Sequence, residues 1–320
     1  MTLRFKKGKD KMNVHVIVDF MHIYYKYFFQ KQRGNLKYLS AEVEKDGKTV
    51  SRETTLVYCP LRDIESIRAR MEILGHDVTV SVCFDEKSVR KNSGVDGAEQ
   101  YKEGRKNSLT EIDFENINLI YGMLEKAGHN VYRVEGYEAD DLVNHLCRKY
   151  TDKFDYTVIY TNDKDLLVNI NDKVGVMRYH IYSGYGQVDK NNYEEYLSRE
   201  FGVKIPYNAI GLYLASVGDS ADKIKGIERF GKAAFEKLLN KIIDKYNPDF
   251  ESCGDYEKLK EIVYDCKEFL TDTQFKQLTA SFELVKNVDI EDSLVKAPTS
   301  KCTAEKRRDA YSGMKMESLI

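Results

Sequence analysis

Seven carboxylates follow short apolar runs in the first half of the sequence: Asp19, Asp85, Glu138, Asp140, Asp141, Asp163 and Asp165. Gathered in one crevice, that many like charges repel one another, and the arrangement makes chemical sense only with cations bound among them. Donors that are all oxygen point to hard, hydrated ions, Mg²⁺ or Mn²⁺, rather than zinc. At a phosphate ester, such ions support hydrolysis.

What must position these acids is a sheet. The runs at 14–18, 78–84, 131–134 and 156–160 are rich in β-branched and aromatic residues and nearly continuous in apolar character. That pattern predicts strands buried on both faces, hence a largely parallel sheet. Helical periodicity at 60–74, 112–128 and 138–150 separates them, so the expected fold is α/β, a doubly wound, mainly parallel sheet flanked by helices. In such a fold the residues just past each strand lie at the carboxyl edge, where the ligand crevice forms. Each acid taken alone has a plainer reading as a turn residue or helix N-cap, and Glu138, Asp140 and Asp141 would suit a helix N-terminus. Recurrence at four successive strand ends is what favours a metal site.

The totals exclude other classes. The 320 residues are 42% hydrophobic and 32% charged, which is globular composition. No apolar run reaches the ~20 residues of a membrane-spanning helix, and the basic start does not read as a signal peptide, so an intracellular, cytoplasmic protein is expected. Six cysteines lack CxxC spacing and predict reduced thiols rather than a zinc site or disulfide framework. The histidines show no ligand spacing, and no Walker loop appears.

The segments VDF (18–20), CFD (83–85), YKEGRK (101–106), GYEADDLV (136–143), YTNDKDLL (160–167) and VGDSADKIKGIERFGKAAFEKLL (217–239) resemble, in order and spacing, those of the flap endonuclease or 5′-nuclease family. That family includes the nuclease domains of bacterial DNA polymerases and the ribonuclease H of T-even bacteriophages, and its fold is PIN-like. The resemblance implies metal-binding roles for the seven acids above and adds Asp219 and Asp222, with two Mg²⁺ ions bound, Mn²⁺ substituting. Asp19, Asp85, Glu138, Asp140 and Asp141 would hold the tighter ion, and Asp163, Asp165, Asp219 and Asp222 the second. The implied reaction is in-line attack of water on a phosphodiester, leaving a 5′-phosphate and a 3′-hydroxyl. Lys102 and Arg105 match the family's phosphate-contacting pair, and guanidinium and ammonium groups suit that task.

Further nucleic-acid contacts are expected from Arg90 and from a helix-hairpin-helix bearing Lys223, Lys225, Gly226, Arg229, Gly231 and Lys232. Glycines there allow a tight turn, and a helix start can hold a phosphate. Such contacts carry affinity without reading sequence. Where the usual hairpin has Asn, Pro and Gly, this chain has Lys223, Lys225 and Arg229. Tyr24 and Tyr25 are candidates to stack on a base, although most of the aromatic run around them fits a buried helical face. Asp46-Gly47 predicts a hairpin within 35–57, to which no function is assigned.

Three regions are expected: a PIN-like core over 1–205, a helical region with the helix-hairpin-helix over 206–290, and a flexible tail over 291–320. The expected partners are branched, flapped or nicked duplex DNA and RNA–DNA hybrid, together with a single-stranded-DNA-binding or replication protein; a monomer is expected, without membrane association. The leading reading is a 5′→3′ exonuclease or flap endonuclease that removes primers. Competing readings are a PIN-like ribonuclease on single-stranded RNA and a catalytically weak, structure-specific DNA-binding protein.

Overall fold

The computed structural model describes residues 11–45, 48–89, 93–102, 109–178, 186–250, 256–286, 288–314 and 316–319. The chain forms two compact units. One comprises residues 4–86, 107–162 and 290–320, and the other residues 1–3, 87–106 and 163–289.

The first unit carries β1 (Asn13–Asp19), α1 (Phe20–Gln32), β2 (Ser40–Lys45), β3 (Lys48–Glu53), α2 (Thr55–Ile73), β4 (Asp77–Cys83), α3 (Glu111–Lys126), β5 (Asn130–Tyr132), α4 (Ala139–Tyr150) and β6 (Tyr156–Tyr160). Four of these strands run parallel in the order β5-β4-β1-β6. Val14, Ile17, Val18, Val82, Val158 and Ile159 are completely enclosed, as strands covered by helices on both faces require. Burying a Val or Ile side chain stabilises by ~1.5–3 kcal/mol, so these runs fix which way the strands face. The chain moves from β1 outward to β4 and β5, then returns to β6 on the far side of β1, which places the switch in strand order at the carboxyl ends of β1 and β6. The hairpin expected near Asp46-Gly47 is present as β2 paired antiparallel with β3, the turn residues themselves lying outside the described set.

The expected flexible tail is instead built into this unit. A helix α10 (Ala304–Tyr311) packs against α3, and Val295, Ala310, Tyr311, Met316 and Leu319 are buried. The tail also caps the sheet edge: Asn130 Nδ2 donates to the Thr299 carbonyl at 3.0 Å, and Thr299 N–H donates to Asn130 Oδ1 at 2.9 Å. Gly128 makes room for it, since a Cβ there, at φ +87°, would stand 2.5 Å from the Lys301 carbonyl oxygen. The segment's low apolar content hid this, because what it buries includes Arg307 as well as Tyr311.

The second unit holds β7 (Val174–Met177) paired antiparallel with β8 (Gln187–Val188), α5 (Tyr193–Phe201), α6 (Ile210–Val217), α7 (Lys232–Tyr246), α8 (Tyr256–Asp265) and α9 (Asp272–Val285). The boundary expected near 205 therefore falls near 163. The short 3-10 turn Asp165–Asn169 buries Leu166 and Leu167 and packs against α6. Residues 87–106 join the same unit because Ala98 and Tyr101 share a small apolar cluster with Ile224 and Leu284. The parallel strands with flanking helices bear out the α/β, mainly parallel fold class.

Candidate active site

In the first unit, strand register sets two of the acids, Asp19 and Asp85, along one edge. Asp19 ends β1 opposite Cys83 at the end of β4, and Asp85 lies two residues beyond Cys83. Val18 pairs with Tyr160 on β6, so the next residue, Thr161, comes level with Asp19 and donates its hydroxyl to Asp19 Oδ2 at 2.8 Å. His22 Nε2, one turn into α1, stands 3.5 Å from the same oxygen.

The remaining three acids of this group open α4. Glu138 is its N-cap, with its side chain accepting from the backbone three residues on while Asp141 Oδ2 accepts from Glu138 N–H at 3.1 Å. The Ala139 N–H donates to Asp85 Oδ1 at 2.7 Å, tying the strand-end acid to the helix start. Negative charge is favoured there by the helix dipole. The capping and metal-site readings of these residues are thus compatible: the cap is what orients the carboxylates. Leu142, Val143 and Leu146 on the opposite face of α4 are fully buried, and the helix packs on β1 and β4.

In the second unit, Asp163, Asp165, Asp219 and Asp222 form the other group. Asp163 Oδ1 accepts from Asp165 N–H at 2.9 Å, and Asp219 Oδ1 accepts from Ala221 N–H at 2.9 Å, both local turns. Lys164 lies at the centre, its ammonium bonded to Asp219 Oδ2 and 3.2 Å from Asp165 Oδ1. Burial and the Asp163 charge push the Asp165 carboxyl up to about 7, Lys164 notwithstanding. The acids in turn hold the Lys164 ammonium above its ordinary range against the effect of burial. Asp222 receives a hydrogen bond from the Tyr101 hydroxyl at 3.4 Å and has the Lys102 ammonium at 3.9 Å. Lys102 also donates its backbone N–H to the Asp222 carbonyl at 2.9 Å, from a left-handed backbone with φ 52°. A non-glycine residue held in that region costs ~1 kcal/mol or more and persists only where its surroundings fix it.

The hairpin joins α6 to α7 through Gly218–Gly231. Its two arms touch at backbone level: a Cβ on Gly226 would stand 2.4 Å from the Gly218 nitrogen. Lys223 and Arg229 are left-handed (φ 62° and 56°), at positions where the family pattern carries Asn and Gly, the residues that adopt this region most readily. Lys223, Lys225, Arg229, Gly231 and Lys232 are exposed, and Gly226 is buried.

Tyr24 is not available to stack on a base. It is fully enclosed, and its hydroxyl donates to Asp113 Oδ1 at 2.8 Å, because the helical face that carries it turns toward the core. Tyr25 is half-exposed and stacks on Phe29, ring centroids 5.8 Å apart. Arg90 and Arg105 lie outside the described residues. Sequence reasoning missed Thr161, His22, Lys164 and Tyr101. For Lys164 a signal was present, a cation between two acids in TNDKDLL.

Residues 14–201 match the family described as 5′-3′ exonuclease, N-terminal resolvase-like domain. The chain belongs to the 5′-3′ exonuclease family. Its activity class is that family's, a 5′-3′ exonuclease, and metal dependence is general in the family. The chain is 28% identical over 245 residues to a 5′-3′ exonuclease of Aquifex aeolicus, covering 75% of this chain and 76% of the relative. It is 28% identical over 213 residues to a 5′-3′ exonuclease of Mycoplasma genitalium, covering 65% and 70%. In fold it is similar to the flap endonuclease of bacteriophage T5, solved as a pseudo-enzyme-product complex with DNA and metal ions. That likeness has a TM-score of 0.54 at 16% identity and covers 94% of this chain and 99% of the other. No described helix is long and apolar enough to cross a membrane.

Both acid groups suit divalent ions. Every donor is a carboxylate oxygen, and the crowding that drives Asp165 toward protonation is relieved by a bound cation. Among the described residues, no group of three or more His, Cys, Asp or Glu side chains is placed to hold a metal ion.

Proposed function

We propose that this 5′-3′ nuclease uses two divalent ions, Mg²⁺ with Mn²⁺ able to substitute, to cleave branched, flapped or nicked duplex DNA and RNA–DNA hybrids near the 5′ junction. Asp19, Asp85, Glu138, Asp140 and Asp141 hold one ion, and Asp163, Asp165, Asp219 and Asp222 the other. When bound, such ions neutralise charge on the attacking and departing oxygens of the phosphodiester. The chain's own residues do the rest. Thr161 and the α4 N-terminus hold Asp19, Asp85 and Asp141 in fixed orientations before substrate arrives. Lys164 keeps Asp165 and Asp219 together in the absence of an ion. Lys102, anchored through its backbone to Asp222, offers its ammonium to the scissile phosphate, with Arg105 beside it in sequence. The hairpin lysines and Arg229 grip backbone phosphates without reading bases, so selectivity is for structure and affinity falls with salt.

The observation that supports this reading is that Asp19 ends β1, Glu138, Asp140 and Asp141 open α4, and Lys164 bridges Asp165 and Asp219. The test incubates end-labelled 5′-flap DNA and a nicked RNA–DNA hybrid with the chain in Mg²⁺ or EDTA, beside Asp141→Asn. Junction cleavage that needs both metal and Asp141 is expected, with product lengths separating exonucleolytic from endonucleolytic action. Tight binding without cleavage of either substrate would overturn it in favour of a binding protein. Cleavage confined to single-stranded RNA would favour a ribonuclease.

A further inference from the structure

The outer edge of the sheet in the first unit carries charge of the opposite sign to the acids. There β5 ends the strand order, and a cavity of about 650 Å³ opens between it, α3 and the C-terminal segment. Its wall carries Arg133, Lys296, Lys301 and Lys306, and among the described residues that line it Glu125 is the one acid. Lys296 and Lys301 are exposed, and neither ammonium pairs with an acid among the described residues. Like charges gathered without a counter-charge repel one another, and the strain is relieved when an anion lies among them.

The backbone that presents these cations is fixed to the sheet edge. The Tyr132 hydroxyl donates to the Lys296 carbonyl at 3.0 Å, Thr299 N–H donates to Asn130 Oδ1, and the Lys301 carbonyl lies against Gly128. The segment thus runs beside β5 in the opposite sense, with Lys306 donating its ammonium to the Lys301 carbonyl at 3.0 Å. At ~3.3 Å per residue, the stretch from Gly128 to Arg133 strings the cations over roughly 15 Å. Arg133 is the most constrained of them. Its guanidinium lies over the Phe84 and Tyr121 rings, 5.1 and 4.9 Å from their centroids, and Nη1 donates to Asn118 Oδ1 at 2.8 Å. Glu86 Oε1 stands 3.7 Å from its Nε. A guanidinium held on aromatic faces has little freedom left to lose when it meets a phosphate. Phe84 N–H donates to the Tyr132 carbonyl at 2.9 Å, so Arg133 follows β5 at the edge where Asp85 follows β4. The cationic cavity therefore starts beside the first acid group.

We propose that this cavity binds single-stranded nucleic acid, holding the phosphates of an unpaired arm that runs from the first acid group along the β5 edge. Which strand arrives there rests on the nuclease reading above, whereas the binding itself does not. Cations strung along a strand edge suit successive backbone phosphates, while a lone phosphate or a mononucleotide would engage only part of the row. The half-buried Tyr121 ring and the Arg133 guanidinium give an unpaired base a surface to stack on, which bases inside a duplex cannot use. No contact of this kind reads a base edge, so binding is independent of sequence. An unpaired arm held beside Asp85 favours branched and nicked substrates over continuous duplex.

The test combines Lys296→Gln, Lys301→Gln and Lys306→Gln in the full chain, all three being exposed, with a melting curve to check that the fold is kept. Fluorescence anisotropy in EDTA measures binding of a labelled oligothymidylate of about 12 nucleotides and, separately, of a blunt duplex. The substitutions should weaken oligothymidylate binding about tenfold at roughly 0.1 M salt and flatten its salt dependence by about two phosphate contacts. Duplex binding, which uses the hairpin, should change by less than about twofold. Unchanged affinity for the oligothymidylate overturns the site. Equal losses on oligothymidylate and duplex overturn its selectivity for an unpaired strand. Thymidine 5′-monophosphate that displaces the oligothymidylate at equal nucleotide concentration overturns the strand in favour of a free nucleotide. Because EDTA removes metal-dependent cleavage from the measurement, a chain that shows the expected binding changes yet cleaves no flap DNA keeps this site and overturns only the nuclease reading.

Discussion

The two acid groups solve the same problem with different partners. In the first unit the contacts that orient the carboxylates include neutral donors: the Thr161 hydroxyl on Asp19, the Ala139 N–H on Asp85 and the Glu138 N–H on Asp141. Such donors fix direction without cancelling charge, and they sit on a strand end and a helix start that the core already holds rigid. In the second unit Lys164 binds Asp165 and Asp219, and Lys102 stands beside Asp222, so ammonium groups offset part of the charge an ion would otherwise meet. The backbone there is a 3-10 turn and a hairpin with left-handed lysine and arginine residues. On the proposed two-ion reading, the first group would be the preorganised, tighter site and the second a weaker one that competes with internal cations.

The largest effect that would sharpen this contrast is on activity. Asp141→Asn should lower the cleavage rate by about 10²–10³-fold at saturating Mg²⁺, and Asp219→Asn by clearly less, with the latter recovering further as Mg²⁺ is raised. Equal losses insensitive to Mg²⁺ would break the comparison. Next is Lys164→Met, which leaves Asp165 and Asp219 facing each other. In EDTA it should destabilise the chain by about 1–3 kcal/mol in urea unfolding, and Mg²⁺ should restore more of that than it adds to the unsubstituted chain.

A smaller effect concerns pH. The Asp165 pKa is raised to about 7, so the folded state holds a proton the unfolded chain has released. Stability in EDTA therefore falls as pH rises from about 4, the ordinary carboxylate value, to about 7, and is level above that. Melting curves of Asp165→Asn should lack this slope, and saturating Mg²⁺ should flatten it. An unchanged slope would show that the crowding lies elsewhere. Smallest is the hairpin backbone. Lys223→Gly and Arg229→Gly, each relieving a left-handed side-chain residue, should each stabilise by about 0.5–1 kcal/mol. Each should also weaken DNA binding, with the salt dependence reduced by about one charge.

Much of this was legible before the structure. Near-continuous apolar runs with an acid after each determine buried parallel strands and the edge on which Asp19 and Asp85 lie, since period and register leave little choice. Glu138, Asp140 and Asp141 are likewise placed by the local chemistry of a helix start. The same reading put Tyr24 among the stacking candidates, because an aromatic run of Tyr24 through Phe29 does not reveal which ring the core takes. It also treated 291–320 as loose, because counting apolar residues cannot see Tyr311 hydrogen-bonded to Glu65 and Arg307 paired with it at 3.8 Å, more than 200 positions away.

The sequence by itself therefore determined the strand-and-helix alternation, the acids at its turns and the family to which they point, all carried by spacings of a few residues. Only the tertiary structure decided which cations stand among the second group, where the units divide, and that the C-terminal helix packs against α3. Those outcomes depend on pairings across long stretches of chain, where burial and charge neutralisation choose the partner and local pattern carries no record of the choice.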